Sequence, residues 1–578
     1  MSTKKPTMEG RTKIGYVIGG SLKDQLKVRL IVRAHEIQEG SFVVIHSGNW
    51  NFYGLVSNIQ LGATDPRFAE EQAQERYPAS IVQMLHGQTL YTNLEVMPVL
   101  MLESGPALDD PAYPEWMQSQ GDQLPHPIPI KTVPEHQASV WQASAGDIAE
   151  IFGDPKDKSR KHFVLGTTRE QDHPVCIDLE KFVQRSSGIF GATGTGKSFL
   201  TRMILAGLIH NDAASILMFD MHNEYGFDDL ASDTKVSVPG LRSKFRSKVR
   251  VVGLGADTMV RNQPVDFTLE LAQKDILPSD IDLLTRELDL KDTTPVTMQA
   301  LISSFGQHGW FKAFQAMQVG TMIEDDSGKK IPAPGSVAHW ARENGVNEQA
   351  AEGLRRKLNR VFSLPYIVET PAADSVTQII EALQKGQHIV LSFGKYERDL
   401  DYLLVANVLT RRIRDAWEKQ TNQYKQSYQN EPKPLMIAIE EAHKLLNREM
   451  ASQTIFSTIA REMRKYYVTL LVIDQRPSQI YDEVLSQLGT RISGWLGDDT
   501  DIQAVLSGIS GKEALRGMLS RLQPKEEVLI LGWGVPMPIP IKTLRYDNNF
   551  WKQLLGTKSG AGESEEEIIR SLFGKKDN

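Results

Sequence analysis

Cysteine is nearly absent: the chain has 578 residues and one cysteine, Cys176. A lone thiol makes neither an intrachain disulfide nor a thiolate zinc cage, which excludes a disulfide-stapled scaffold and a zinc finger. A reducing cytoplasm is the simplest setting for such a chain. No stretch approaches about 18 uninterrupted apolar residues, which argues against a membrane span and a secretory leader. Basic excess is missing too, since 65 Lys and Arg against 72 Asp and Glu leave a net charge of −7. That excludes a histone-like polycation but leaves room for a nucleic-acid site confined to one face or channel. No internal repeat is visible. The remaining composition, 40% hydrophobic and 24% charged, is that of a globular protein. At about 150 residues per domain the length suggests roughly four domain-sized units, although large α/β domains exceed that size.

Residues 1–10 read as a disordered start. From Ile14 to about Leu102, β-type runs recur at hairpin-like intervals: GYVIGG, KVRLIV, SFVVIH, FYGLVSNIQL and TLYTNLEVMPVLML. A polar stretch at 62–89, readable as a helix or a long loop, interrupts them. This spacing suits a small antiparallel barrel. Pro106, Pro111, Pro114, Pro125, Pro127, Pro129 and Pro134 then mark an extended connector, so barrel and connector together occupy about 11–145. Over 146–555 strands alternate with helices. The runs SGIFG, SILMFD, VRVVGL, HIVLSF, LMIAIE and VTLLVID are almost continuously apolar, as parallel strands covered on both faces are. A mostly helical stretch over about 255–387 reads as an insertion into this α/β core. Residues 556–578 form a tail, either a flexible end or a short amphipathic helix.

Residues 191–198 read GATGTGKS, a complete G-x-x-x-x-G-K-[ST] between a short apolar strand and a helix. Glycines let the backbone turn so that successive N–H groups face phosphate oxygens, and the helix N-terminus adds its positive end. The cradle runs through Gly191, Thr193, Gly194, Thr195, Gly196, Lys197 and Ser198 to Phe199, implying a nucleoside triphosphate as ligand. Lys197 reaches the β- and γ-phosphates, and the Ser198 hydroxyl is a hard ligand for Mg²⁺.

Hydrolysis needs a further acid at a neighbouring strand end. The strand LMIAIE ends in Glu440 and Glu441. Glu440 is placed to take Mg²⁺ through water and Glu441 to orient the attacking water, so the pair argues against a purely nucleotide-binding module. Gln475 follows VTLLVID on the edge where open α/β sheets place ligands, suited to sensing the γ-phosphate or the water. Arg461 and Arg464, at i and i+3, are expected on one helix face, either as solvated arginines or as a finger reaching a neighbour's nucleotide. Asp220, at the end of SILMFD, reads equally as a supporting acid or an acidic turn. His443 and Lys444 receive no chemistry. Basic clusters at 156–162, 242–250, 355–360 and 411–414 are candidate phosphate contacts, although most such runs are solvated faces.

The loop GATGTGKS, the turn DMHNEYG, the acid pair IEEAH, the segment AREMRK and the segment DQRPS occur in the order found in the HerA branch of the HerA/FtsK P-loop ATPases, which the chain resembles over about 160–545. The N-terminal β unit is similar to the barrel that precedes the motor in HerA proteins. The resemblance implies a RecA-like core with a helical insertion, assembled as a homo-hexamer that moves along double-stranded DNA, commonly with a NurA-type nuclease or another effector subunit. It implies Lys197 and Ser198 as the Walker A pair, Glu440 and Glu441 as the Walker B pair, Gln475 as a sensor, and Arg461 or Arg464 as the trans-acting arginine. Arg185 matches a subunit-boundary arginine by offset alone. Met463 departs from the family's usual glycine. A ring scaffold that positions an effector without translocating is the alternative function. A conjugation-type pump predicts membrane spans that the sequence lacks.

Overall fold

A barrel strand buries alternate residues, and Leu26–Leu30 does so, with Leu26, Val28 and Leu30 inside and Lys27 exposed. The computed structural model describes residues 11–64, 90–106, 110–120, 126–230, 237–256, 258–324, 328–450 and 455–556. The expectations for 1–10, for 65–89 and for the tail from 557 lie outside them. Two units are present: one gathers the chain up to Phe182, Ile189–Ile204 and the part from Gly489, and the other holds Val183–Gly188 and Leu205–Leu488. The chain therefore passes between units inside the strand Ser187–Phe190 and inside the helix Lys197–His210.

In the first unit, Lys13–Gly19, Leu26–Leu30, Leu90–Glu103, Trp50–Ala63, Phe42–Ser47 and Ser139–Gln142 close into an antiparallel barrel. The two 14-residue strands bend at register shifts beside Gly54 and Asn58. At Gly54 a Cβ would stand 2.7 Å from the Met97 carbonyl oxygen, so only glycine lets the strands approach. Val28, Val43, Val56, Leu94, Val96 and Val140 form the fully buried centre. The strand Ser139–Gln142 returns to close the barrel after the proline-rich passage, which itself holds the helix Tyr113–Gln120 and the short strand Ile128–Pro129. A helix at Ala145–Phe152 follows, started by a Ser144/Asp147 capping box. Arg11 donates to Asp147 from the barrel side at 2.9 Å.

The same unit carries an antiparallel run of Thr490–Ser493, Glu527–Gly532, Ile539–Thr543, His162–Thr167 and Pro174–Asp178. Cys176 lies buried in the last of these, and burial pushes its thiol up to about 12.

The second unit is a parallel α/β sheet in the order Phe267–Leu269, Val249–Leu254, His388–Ser392, Ser215–Asp220, Leu435–Glu440, Val468–Asp474. Every residue of the last four is buried, which accounts for their unbroken apolar sequence. The P-loop α/β core with a preceding antiparallel barrel is thus present, its parallel strands accompanied by antiparallel ones. In the 255–387 stretch helices begin at Pro278, and before them Phe267–Leu269 joins the sheet edge. Glu348–Phe362 is an unbroken helix, whereas Thr294–Ala316 is two helices joined by a kink at Gly306, where φ is 73°. Among the described residues no helix is long and apolar enough to cross a membrane.

Candidate functional site: a phosphate cradle and a paired-acid strand end

The cradle lies in the first unit. The buried strand Ser187–Phe190 ends at Gly191, where a Cβ would stand 2.6 Å from Thr195 Oγ1. Gly194 and Gly196 adopt φ of 79° and 87°, the left-handed region that glycine enters without strain. Thr195 closes the turn on Ala192, its N–H and hydroxyl donating to the same carbonyl at 3.3 and 2.7 Å. Two later segments brace the loop from outside. Ala192 N–H donates to Trp495 O at 3.1 Å, and Lys525 N–H to Thr195 O at 3.2 Å. The helix Lys197–His210 then starts with no acidic residue in its first turn, so its positive end is left for an external anion. These glycines and this helix start fit a polyphosphate. Thr193 is exposed, Lys197 and Ser198 are half-buried, and Phe199 is exposed beside Tyr546 with ring centroids 6.1 Å apart.

The acids lie in the second unit. Glu440, the last residue of the buried strand, receives the Tyr225 hydroxyl on Oε1 at 3.0 Å and the Tyr402 hydroxyl on its carbonyl at 2.9 Å. Glu441 turns the chain out of the strand with φ of 47°. His222 Nε2 stands 3.7 Å from Glu441 Oε1, and Lys444 Nζ is 2.9 Å from Oε2. These two cations, His222 foremost, hold the Glu441 carboxyl down at about 2. Glu441 is therefore ionised at neutral pH.

Neighbouring strand ends supply the frame. Asp220 is buried and accepts the N–H groups of Glu224 at 2.8 Å and Tyr225 at 2.9 Å. Asp220 thus organises the turn that carries Tyr225, whose hydroxyl meets Glu440. Asp474, fully buried, accepts His443 N–H at 2.7 Å, His443 Nδ1 at 2.9 Å and Arg476 N–H at 2.8 Å. The bond from Nδ1 raises the pKa of His443. Gln475 is half-buried immediately beyond.

Arg461 and Arg464, both exposed, lie on either side of a change in helix type. The α-helix ends at Glu462, and Met463–Tyr466 is a tighter 3₁₀ turn. Met463 is buried there, an anchor that glycine could not provide. Arg461 pairs with Glu483 at 3.5 Å and Arg464 is exposed. Arg185 sits in the turn before Ser187, its carbonyl accepting the Ser187 hydroxyl at 3.3 Å. Sequence reasoning gave no role to His222, Tyr225, Asp399, Tyr402, His443, Lys444 or Asp474. His222, Tyr225, His443 and Asp474 lie inside recognised motifs, whereas Asp399 and Tyr402 start a distant helix and carry no local signal. Among the described residues no group of three or more His, Cys, Asp or Glu side chains could hold a metal ion.

The family described as "Helicase HerA, central domain" matches residues 163–413. The DNA double-strand break repair helicase HerA of Saccharolobus solfataricus is 23% identical over 544 residues, covering 92% of this chain and 91% of that protein. The protein of the same name from Pyrococcus furiosus is 21% identical, over 77% of this chain and 78% of its own. Among solved structures, VirB4 of Thermoanaerobacter pseudethanolicus is similar over 67% of this chain and 97% of its own, with 15% identity and a TM-score of 0.42.

Proposed function

We propose that this chain, similar to the HerA helicases over most of its length, is a HerA-type ATPase of the HerA/FtsK P-loop family and an ATP-driven double-stranded DNA translocase or helicase. It works as a cytoplasmic homo-hexamer in DNA end processing or anti-phage defence, with a NurA-type nuclease or another effector subunit. Relatives named for DNA double-strand break repair over nine-tenths of the chain support the DNA assignment.

One observation carries the hydrolytic reading. The strand Leu435–Glu440 ends in two acids with different surroundings, Glu440 buried under two tyrosine hydroxyls and Glu441 ionised between His222 and Lys444. A module that only binds nucleotide has no use for the second acid. In this reading the backbone of Gly191–Gly196 and Lys197 grip the β- and γ-phosphates. Ser198 and, through water, Glu440 hold Mg²⁺, which when bound neutralises phosphate charge. Glu441 aligns the attacking water and Gln475 senses the γ-phosphate. Arg461 or Arg464 acts on a neighbouring subunit's nucleotide.

Purified protein with Mg²⁺ is expected to hydrolyse ATP faster when duplex DNA is added. Lys197→Ala is expected to abolish turnover, and Glu441→Gln to bind ATP without splitting it. Undiminished turnover in Lys197→Ala would refute the site. Static rather than directed complexes, seen by single-molecule tracking on DNA, would replace the translocase with an effector-positioning ring.

A further inference from the structure

The partners of Glu441 come from different parts of the second unit, and each is held in turn. Lys444 lies one helical turn after Glu441 and divides its ammonium between Glu441 Oε2 at 2.9 Å and Asp399 Oδ1 at 3.0 Å. Asp399 opens the 29-residue helix Asp399–Ser427. His222 belongs to the turn that Asp220 organises, and Ser392 of the next strand bonds the adjacent Asn223. We propose that Lys444 and His222 are positioning residues that fix the direction of the Glu441 carboxylate. This rests on the reading of Glu441 as the residue that aligns the attacking water.

Three features support it. Glu441 leaves its strand with φ of 47°, so the direction of its long side chain is not set by the pleat of the strand. A lysine ammonium carries three donors and serves two carboxylates at once; shared with Asp399, it anchors one oxygen of Glu441 without cancelling its charge. At 3.7 Å, His222 is beyond hydrogen-bond distance of the other oxygen. That oxygen therefore keeps its acceptor capacity for a water while the imidazole limits its swing. Neither side chain is required to touch the phosphates.

The test uses the full-length protein with Mg²⁺, ATP and duplex DNA. Lys444→Met is expected to lower kcat about 10- to 100-fold, as misdirection of a catalytic group does. KM and the affinity for a non-hydrolysable ATP analogue are expected to stay within about threefold, because ground-state binding is not at stake. Lys444→Arg, which retains charge and reach, is expected to recover most of kcat. His222 is half-exposed, so His222→Gln leaves the fold intact and is expected to lower kcat several-fold at unchanged KM. The proposal is overturned if kcat survives in both Lys444→Met and His222→Gln. It is equally overturned if kcat, analogue affinity and melting temperature fall together and arginine restores none of them. If Lys444→Met does not fold, His222→Gln decides alone. Absence of Lys197-dependent hydrolysis in the unmodified protein is a separate failure, that of the ATPase reading.

Discussion

At the scale of single residues, the second unit gives two adjacent acids different surroundings. Glu440 is 4% exposed and accepts a hydrogen bond from Tyr225, itself fully buried. Buried carboxylates persist as anions only where donors compensate for lost water. Tyr225→Phe removes that donor without changing shape. It is expected to destabilise the protein by about 1–3 kcal/mol, the cost of leaving a buried polar group without its partner. It is also expected to raise the Mg²⁺ concentration that half-saturates the ATPase, while nucleotide binding without metal is unchanged. Thermal melting and a Mg²⁺ titration check the two effects. An unaltered Mg²⁺ requirement would show that Glu440 does not serve the metal.

At the scale of elements, the parallel strands were legible because burial on both faces leaves no polar alternation to interrupt them. SILMFD, VRVVGL and LMIAIE coincide with observed strands residue for residue. Ser139–Gln142 was not legible as a strand: it is four residues long, follows a run of prolines and is paired only by strands distant in sequence. The break after Glu462 escaped for a related reason, since Met463 is drawn inward by tertiary packing rather than by helical periodicity. In the paired acids the residues were legible and their partners were not. Tyr402 and Asp399 reach Glu440 and Lys444 only through the packing of a separate helix.

One strand makes a pH prediction. His388 opens His388–Ser392, and burial depresses its pKa to about 4, with Asp212 opposing and Lys433 and Lys248 adding to the effect. Its unfolded value is about 6.5. Between these values the unfolded chain binds the proton and the folded one does not. The stability is therefore complete above about 6.5 and is lost as pH falls toward about 4. Lowering the pH from 7.5 to 5.5 is expected to cost on the order of 1 kcal/mol through this residue. The thermal midpoint of His388→Leu should fall less over that interval than that of the unmodified protein. Equal drops would remove His388 as the source.

At the scale of the whole molecule, a net charge of −7 makes the fate of the basic clusters informative. Two of them are largely engaged inside the second unit. Arg411 bonds Asp280 Oδ2 at 2.8 Å and Asp275 O at 2.7 Å, and Arg412 bonds Asp275 Oδ1 at 2.7 Å. Arg355 donates to Phe314 O at 2.7 Å, and Lys357 pairs with Asp289 at 3.0 Å. The helix Asp399–Ser427 thus reaches the Glu440 carbonyl through Tyr402 and Lys444 through Asp399 with its first turn, and holds the helical insertion with Asn407, Arg411 and Arg412. Lys156, Lys158 and Arg160, by contrast, are exposed on the first unit. The two kinds of cluster should respond differently to neutralisation. Arg411→Ala leaves Asp280, which is 0% exposed, without its cation. A broken buried pair costs about 3–5 kcal/mol, so this variant should melt at a clearly lower temperature with an unchanged salt dependence of DNA binding. Alanine at 156, 158 and 160 together should leave melting unaffected. If the loop grips phosphates, the slope of log K against log salt should become shallower by about 0.9 for each phosphate left without its cation. A shallower slope in Arg411→Ala at undiminished stability would reverse the assignment and move DNA binding onto the helix Asp399–Ser427.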